Sequence, residues 1–231
     1  MFSERIAIFG AARSARAARK LALQNGFDVS LFDQGGNGDY TEFTEKQIDE
    51  YDTFVLSPGF GSKHPWRKLV ADSEKKIQSE VAFASEFWPG KIVGVTGTNG
   101  KTTTTELLTD AYRCAGYNAV AVGNIGFPFS TAAISEEFDK NSIAVCEISS
   151  FQAELTEGLE LDAVLWTNFS EDHLDRYGSM PEYFKAKAKL FDRLKPGGTC
   201  VLSLQVASAF AHFDCDFEQY IMAETAPELT E

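Results

Sequence analysis

A glycine-rich loop between an apolar strand and a helix constrains this chain more than any other feature. The run GVTGTNGKTTTTELL predicts a strand that enters a loop from Gly97 to Thr102, which opens a helix. Glycines let backbone N–H groups surround a phosphate, and the helix N-terminus adds partial positive charge. The standard phosphate loop has a glycine five positions before Gly100, but this chain has Val95 there. The loop therefore matches a shorter variant with the spacing Gly-x-x-Gly-Lys-Thr. The loop predicts nucleotide binding; the alternative is a turn that only begins a helix.

Two side chains of this loop carry specific predicted roles. Lys101 would neutralise phosphate oxygens, and the Thr102 hydroxyl is placed to ligate Mg²⁺. The predicted nucleotide-binding residues are Gly97, Thr98, Asn99, Gly100, Lys101, Thr102 and Thr103.

Strands and helices alternate along the whole chain. IAIFG, AARSARAARKLALQNG and DVSLFD predict strand, helix and strand, followed by the strand YDTFVLSPG and a helix over Pro65 to Ala71. After FWPGK the pattern restarts, with a helix from about Thr102 to Ala115, strands at NAVAVG, SIAVCEI, AVLWTN and TCVLSL, and a helix from about Pro181 to Leu194. Such alternation predicts an α/β fold with parallel sheets covered on both faces.

The segment FWPGK divides the predicted fold into two domains. Its Pro89 and Gly90 are the strongest linker signal in the chain. We expect a Rossmann-like domain over residues 1–88 and an ATPase-like domain with a phosphate loop over residues 89–231. Periodicity is weak in the last thirty residues.

Composition and charge exclude several classes of protein. The net charge of −13 argues against a nucleic-acid binder, although a local group of amides and cations can still bind a small anion. No apolar run is long enough to span a bilayer, and the N-terminus lacks the pattern of a signal peptide. The four cysteines contain no CxxC pair, so free thiols are expected: Cys114, Cys146, Cys200 and Cys215. We therefore expect a cytoplasmic, monomeric protein that binds no membrane.

Two further residues follow apolar strands, where ligand-binding residues of α/β proteins lie. Glu147 ends the strand IAVCEI, and a carboxylate near a bound nucleotide is a natural Mg²⁺ ligand. The alternative is an ion-paired acid at a strand end. His173 follows the strand AVLWTN within a Glu-Asp-His cluster, and it is either a ligand or a structural histidine.

Lys187 occupies an unusual position on its predicted helix. On a helical wheel it lies within an apolar arc formed by Tyr183, Phe184, Leu190, Phe191 and Leu194, whereas Lys185 and Lys189 lie on the solvated face. A buried ammonium is costly, so its pKa should fall and its amine should become nucleophilic. The alternative is a lysine whose stem packs on the core while its charged end reaches water.

Four motifs in order resemble the Mur ligase superfamily, which includes the muramyl ligases and folylpolyglutamate synthase. They are TGTNGKT in the phosphate loop, GNIG (Gly123 to Gly126), EISSFQ (Glu147 to Gln152) and TNFSEDHLDRYGSM (Thr167 to Met180). EISSFQ is most similar to the branch that adds D-glutamate.

The resemblance implies an ATP-dependent ligase of peptidoglycan synthesis that joins D-glutamate to UDP-N-acetylmuramoyl-L-alanine through an acyl phosphate. It implies two Mg²⁺ ions with Thr102, Glu147, His173 and Lys187 as ligands, Lys187 being carbamylated by CO₂. Lys101, His173 and Lys187 are the catalytic residues implied.

The resemblance also implies contacts to the UDP-sugar peptide. The substrate residues implied are Arg13, Ser14, Asp33, Ser57, Gly59, Asn124, Ser149, Gln152 and His173. Arg13 and Ser14 would donate to the diphosphate, although two glycines expected in that loop are alanine here, which disfavours positive φ. Loop hydrogen bonding is the alternative role for Asn124, Ser149 and Gln152.

Complete members of the superfamily carry a third domain, and this chain ends before it, as a fragment or a naturally short protein. We therefore expect substrate binding with negligible ligase turnover by the chain alone. A second hypothesis is a nucleotide-sugar and ATP-binding module without ligase activity. A third, a nicotinamide-dependent oxidoreductase, is disfavoured by the missing glycines.

Overall fold

A computed structural model describes residues 4–213, so Cys215 and the end of the second predicted domain lie outside the described residues. The strands are β1 (Arg5–Phe9), β2 (Asp28–Phe32), β3 (Thr53–Leu56), β4 (Lys76–Ser79), β5 (Lys91–Thr96), β6 (Ala119–Gly123), β7 (Ile143–Glu147), β8 (Leu161–Trp166) and β9 (Leu194–Leu202). The α-helices are α1 (Arg13–Gln24), α2 (Pro65–Ala71), α3 (Glu80–Ser85), α4 (Lys101–Cys114), α5 (Phe129–Ala133), α6 (Ser150–Ala153), α7 (Leu174–Tyr177), α8 (Met180–Ala188) and α9 (Leu204–His212), with 3₁₀ turns at Glu45–Glu50 and Phe191–Arg193.

The strands form two parallel sheets, which confirms the predicted α/β fold. The first sheet has the order β2-β1-β3-β4 and the second the order β6-β7-β5-β8-β9. We call residues 4–88 the first-sheet region and residues 89–213 the second-sheet region. The carboxyl ends of parallel strands meet at one edge of a sheet. The loops that follow β1 and β3 are therefore neighbours in the first sheet. In the second sheet the loops that follow β5, β7 and β8 are neighbours in the same way.

The helices α5, α6, α7 and α9 are missing from the sequence prediction, and so are strand β4 and helix α3. Both bury polar side chains: Gln78 is fully buried in β4, and Glu80 in α3 is only 4% exposed. The Glu80 Oε1 atom accepts a hydrogen bond from the backbone N–H of Ser130 at 2.7 Å, and burial raises the pKa of this carboxyl. Buried polar residues hide the alternation by which a strand or helix is recognised.

Two boundaries also differ from prediction. The helix expected to reach Leu194 ends at Ala188 and continues as a 3₁₀ turn. Strand β9 begins at Leu194, before the predicted Pro-Gly-Gly turn, and an irregularity in its pairing with β8 accommodates the extra residues.

One apolar core runs through both regions. Helices α1 and α3 of the first-sheet region pack on α5 of the second, and the buried cluster extends from Ile8 through Val81 to Phe129 and Cys146. The predicted linker belongs to this core, because Trp88 is 7% exposed and its ring lies 5.5 Å from that of Phe129. A second cluster, dominated by aromatic rings, fills the other face of the first sheet. Within residues 4–213, no helix has the length and apolarity to cross a bilayer.

Candidate functional site

The phosphate loop leaves β5 through a position that only glycine fits. Gly97 has φ of 154°, and a Cβ atom there would collide with the Thr167 hydroxyl. Gly100 is the N-cap of α4, so the first-turn N–H groups of this helix face the loop. The Lys101 ammonium lies over the loop, donating to the carbonyl oxygens of Gly97 at 3.0 Å and Thr98 at 2.8 Å. Backbone donors and a cation are thus assembled at one helix N-terminus.

Polar side chains that follow β8 brace this loop. The backbone N–H of Asn99 donates to the Asn168 Oδ1 atom at 2.9 Å, and the Asn168 Nδ2 group returns a bond to the Asn99 carbonyl at 2.9 Å. The Thr167 hydroxyl donates to the same carbonyl at 3.0 Å. The Thr98 hydroxyl accepts from the backbone N–H of Ser170 at 3.0 Å. These bracing roles were not predicted, although the residues lie in a recognised motif directly after a buried strand.

Glu147 lies beside the loop and holds two predicted site residues. Its carboxylate is buried, with the residue 1% exposed. Thr102 donates its hydroxyl hydrogen to the Oε2 atom at 2.8 Å, and the Asn124 Nδ2 group donates to the Oε1 atom at 2.9 Å. Across residues 4–213, no group of three or more His, Cys, Asp and Glu residues is arranged to hold a metal. Mg²⁺ beside phosphates needs only one or two protein oxygens, which the Thr102–Glu147 pair supplies.

Lys187 is as buried as the helical wheel predicts. It is 1% exposed, whereas Lys185 and Lys189 are exposed on the same stretch. Its ammonium donates to the Gly97 carbonyl at 2.9 Å and to the Thr96 hydroxyl at 3.3 Å. Burial, with a smaller effect of the Lys101 charge, lowers the pKa of Lys187 to about 7 despite the opposing charges of Asp172 and Glu147. The amine therefore lies within the phosphate-loop site rather than reaching solvent.

His173 adopts a backbone conformation that few residues tolerate. Across residues 4–213 it is the one non-glycine residue with positive φ, at 53°. Its side chain is 43% exposed, and the Nδ1 atom lies 3.4 Å from the Asp172 carboxylate. Its ring packs 4.8 Å from the Phe151 ring and 6.0 Å from the Tyr183 ring. Strain of this kind is retained where the surroundings hold the residue in place.

Tyr183 joins His173 to the rest of the site. The Lys187 ammonium lies 5.2 Å from the Tyr183 ring centroid, and the Tyr183 hydroxyl is 3.4 Å from that of Thr98. The structure thus groups Lys101, Thr102, Glu147 and Lys187 directly around the loop, and the Tyr183 ring contacts both Lys187 and His173. The helical wheel treated Tyr183 only as core.

Two residues assigned to the substrate in the second-sheet region cap a helix. Ser149 and Gln152 form a reciprocal capping box at α6, in which the Ser149 N–H donates to the Gln152 Oε1 atom at 2.9 Å. Local hydrogen bonding is therefore at least part of their role. Their assignment to the substrate stays a prediction, as does that of Asn124.

The first-sheet residues surround the turn after β1. Gly10 has φ of 106°, and a Cβ atom there would lie 2.6 Å from the Ser57 hydroxyl oxygen. Gly10 is thus the position in this loop that requires glycine. Ala11 and Ala12, which follow it, do not adopt positive φ. The Arg13 guanidinium lies 5.9 Å from the ring of Phe127 in the second-sheet region. Ser14 follows in the first turn of α1, and Gly59 follows Ser57 in the turn after β3. The Asp33 carboxylate accepts a bond from the backbone N–H of Asn37 at 3.1 Å.

Comparison with known proteins gives one consistent answer. Residues 95–218 match the family model described as the Mur ligase middle domain. UDP-N-acetylmuramoylalanine–D-glutamate ligase of Aquifex aeolicus is 35% identical over 185 residues, which cover 80% of this chain and 43% of that protein. The protein of the same name from Chlorobium phaeobacteroides is 35% identical over 230 residues, covering 91% of this chain and 49% of that protein. The chain spans about half the length of the curated relatives it matches.

Solved structures show the same fold. A UDP-N-acetylmuramate:L-alanyl-gamma-D-glutamyl-meso-diaminopimelate ligase from Neisseria meningitides superimposes with a TM-score of 0.55 at 17% identity, covering 91% of this chain and 75% of that chain. The MurF ligase of Thermotoga maritima, solved in complex with ADP, gives a TM-score of 0.50 at 18% identity, covering 77% of this chain and 43% of that chain.

Proposed function

The chain belongs to the Mur ligase family, and on that premise we propose that it is the substrate-binding and ATP-binding part of a ligase that adds D-glutamate to UDP-N-acetylmuramoyl-L-alanine. Relatives of that name match most of the chain. The observation that carries the proposal is the cluster around the phosphate loop, in which Lys101 and Lys187 both donate to the Gly97 carbonyl and Thr102 donates to Glu147.

In this proposal the phosphate loop binds the ATP phosphates. N–H groups at the start of α4 point toward the bound anion, and Lys101 transfers its hydrogen bonds from the loop carbonyls to phosphate oxygens. Asn168 and Thr167 keep the Asn99 backbone in place while this exchange occurs. The loop contributes by positioning the phosphates and stabilising their charge, which is most of what phosphoryl transfer requires.

Thr102 and Glu147 would hold Mg²⁺ beside the phosphates. Their oxygens lie 2.8 Å apart and are the hard ligands that this ion prefers. When bound, the ion neutralises charge on the phosphates as the alanyl carboxylate becomes an acyl phosphate. Asn124 orients the Glu147 carboxylate from the opposite side. We assign a second Mg²⁺ to the side of the site that holds His173 and Lys187.

We propose that Lys187 is carbamylated, because its burial favours a neutral, nucleophilic amine. The neutral amine attacks the carbon of CO₂, the electron pair of one C–O π bond moves to oxygen, and the nitrogen releases a proton to solvent, so that a carbamate anion replaces the buried amine. The anion would supply an oxygen ligand for the second ion, next to the Gly97 carbonyl that the amine now contacts. Nuclear magnetic resonance with ¹³C-labelled bicarbonate should show one carbamate signal that is missing in Lys187→Met. An unchanged spectrum in that variant would place the modification elsewhere.

The UDP-sugar peptide is proposed to bind along the loops that follow β1 and β3, and then along those that follow β6 and β7. Arg13 and Ser14 would meet the diphosphate, with Asp33, Ser57 and Gly59 around the nucleoside. Asn124, Ser149 and Gln152 would contact the sugar and peptide next to His173, and D-glutamate would attack from the solvent side.

The test is a paired binding and turnover measurement. Calorimetry should show that the chain binds both UDP-N-acetylmuramoyl-L-alanine and a non-hydrolysable Mg-ATP analogue. Formation of UDP-muramoyl-dipeptide is then measured for the chain alone and with the remaining half of the Aquifex aeolicus relative added. Binding of both ligands with no dipeptide in either mixture would favour a binding module without ligase activity. Absence of binding would refute the proposal.

A further inference from the structure

Four hydrogen bonds converge on the carboxylate of Glu154, at the end of α6. Arg176 donates from its Nε atom to Oε1 at 3.0 Å and from its Nη2 atom to Oε2 at 3.1 Å. Arg67 donates to Oε2 at 2.6 Å, and the Tyr177 hydroxyl donates to Oε1 at 2.9 Å. We call these four residues the Glu154 hub. No sequence motif indicates a role for any of them.

The hub joins the two regions of the molecule at their substrate-facing edges. Arg67 belongs to α2 of the first-sheet region, and its guanidinium also donates to the Phe60 carbonyl at 3.3 Å. Arg176 belongs to α7 of the second-sheet region, and its guanidinium donates to the Pro58 carbonyl at 3.1 Å. Each arginine therefore binds both Glu154 and the turn after β3.

The hub also fixes His173. The guanidinium of Arg176 lies 3.9 Å from the Phe151 ring centroid, a close cation–π contact, and the same ring packs on the His173 imidazole at 4.8 Å and on the Tyr177 ring at 6.2 Å. The backbone N–H groups of Arg176 and Tyr177 both donate to the His173 carbonyl, at 3.0 and 3.1 Å. A fixed Arg176 therefore restrains both the imidazole ring and the backbone of His173, whose φ is strained.

The hub is too buried to behave as an ordinary surface ion pair. The side chains of Glu154, Arg67 and Arg176 are 11%, 13% and 16% exposed. Burial by itself raises the pKa of Glu154, but hydrogen bonds from Arg176 and the charges of both arginines outweigh it and lower the pKa. Removing the charge would leave two guanidinium groups poorly paired in a region of low solvent access, which is costly.

We propose that Glu154 is a positioning residue, which holds the Pro58–Phe60 turn and His173 at a fixed separation so that the two halves of the substrate site stay aligned. Which ligands are aligned rests on the proposed function. The alignment itself is a property of the ligand-free chain. A hub that merely stabilised the fold would lower the free energy of unfolding without linking the two segments.

Hydrogen exchange on the ligand-free chain tests the link directly. In Glu154→Gln, the backbone N–H groups of Phe60 and His64, and those of Arg176 and Tyr177, should exchange about tenfold faster or more. The amide of Gly94 in β5 should keep its wild-type rate, which separates local opening from loss of global stability. Faster exchange at Arg176 and Tyr177 with no change at Phe60 and His64 would overturn the proposal. Equal acceleration at Gly94 would also overturn it.

Two further variants sharpen this measurement. Arg67→Gln removes a first-sheet residue that makes no hydrogen bond to α7, yet it should also accelerate exchange at Arg176 and Tyr177 through the hub. The matched control is Asp162→Asn, which removes a carboxylate bonded to Lys195 and to the Ile92 N–H within the second sheet. That control should leave both segments at wild-type rates. If it accelerates them as much as Glu154→Gln does, the hub has no special role.

The coupling between binding of the two ligands, measured by calorimetry, would not change if Glu154 only stabilised the fold. Binding of the ATP analogue should tighten binding of UDP-N-acetylmuramoyl-L-alanine to the wild-type chain by about fivefold or more. In Glu154→Gln the ATP analogue alone should bind within about threefold of wild type, whereas UDP-N-acetylmuramoyl-L-alanine, which contacts both segments in the proposed function, should bind about fivefold or more weakly, and the coupling factor should fall to about one. Full coupling in the variant would refute the inference and leave the proposed function intact. If the wild-type chain bound neither ligand, the proposed function would fail, and the exchange measurement would still decide the role of Glu154.

Discussion

The two sheets present their functional loops at the same kind of edge but hold them by different means. The phosphate loop after β5 is fixed by side-chain hydrogen bonds from the next strand exit, chiefly those of Asn168 and Thr167. The turn after β3 combines two means: the arginines of the Glu154 hub bond its carbonyl oxygens, and its aromatic ring is packed, since Phe60 stacks on Trp66 at 5.7 Å and both rings contact Phe9. Loss of a single polar bond can disturb either segment locally, whereas loss of the aromatic packing beneath the turn after β3 also lowers the stability of the sheet.

Truncation within the aromatic cluster should have the largest effect on stability. Trp66→Ala should lower the free energy of unfolding by about 3–5 kcal/mol, because Trp66 is 5% exposed and contacts several rings. Nucleotide affinity of the protein that remains folded should not change. Denaturant unfolding and calorimetry measure the two quantities, with Tyr117→Ala, an exposed aromatic in the turn between α4 and β6, as the control. Equal losses in both variants would contradict the packing argument.

Removal of the loop cation should give the next largest effect, in ligand affinity rather than stability. Lys101→Ala should weaken binding of the ATP analogue by about ten- to a hundredfold, because it removes charged hydrogen bonds worth about 1.5–3 kcal/mol. Binding of the UDP substrate should persist. Lys140→Ala removes an exposed lysine distant from the loop and serves as the matched variant. Unchanged nucleotide affinity in Lys101→Ala would remove this residue from the site.

The buried amine of Lys187 should make the free energy of unfolding of the chain depend on pH. Below about pH 7 the amine is charged in both states and carries the full cost of burial. Between pH 7 and the ordinary lysine pKa near 10.4, the unfolded chain binds more protons than the folded chain does. The free energy of unfolding therefore rises with pH by up to about 1.4 kcal/mol per pH unit. In bicarbonate-free buffer, the wild type should therefore gain about 2 kcal/mol relative to Lys187→Met from pH 7 to 8.5. Lys185→Met, exposed on the same helix, should retain the wild-type slope.

The smallest effect should come from a single brace of the phosphate loop. Asn168→Ala removes two neutral hydrogen bonds to the Asn99 backbone, which should cost about 1–2 kcal/mol of stability. Exchange at the Asn99 N–H should accelerate, while that at the Phe60 N–H stays at its wild-type rate. Asn141→Ala, in an exposed loop, should do neither. Acceleration at Phe60 would show that the two loops are not held independently.

The same contrast explains which features are readable from sequence. The phosphate loop, α4 and the burial of Lys187 follow from short runs of residues, because glycine spacing and helical periodicity are local. Strand β4 and helix α3 are not predicted from the sequence, because Gln78 and Glu80 are polar residues that are buried. The Glu154 hub escaped for another reason, since Arg67 and Arg176 are separated by more than a hundred residues and meet only when both sheets have formed. Contacts between regions leave no local pattern.

The core shared by α1, α3 and α5 bears on how the protein folds and on how it could be divided. Cutting the chain at the predicted boundary near Trp88 would expose apolar side chains on both new surfaces, including Val81 and Phe129, which are buried in the intact chain. Neither sheet can then complete its core by itself. We expect the two sheets to unfold in one cooperative transition, so that a nucleotide bound at the phosphate loop would raise the melting temperature of the distant aromatic cluster as well.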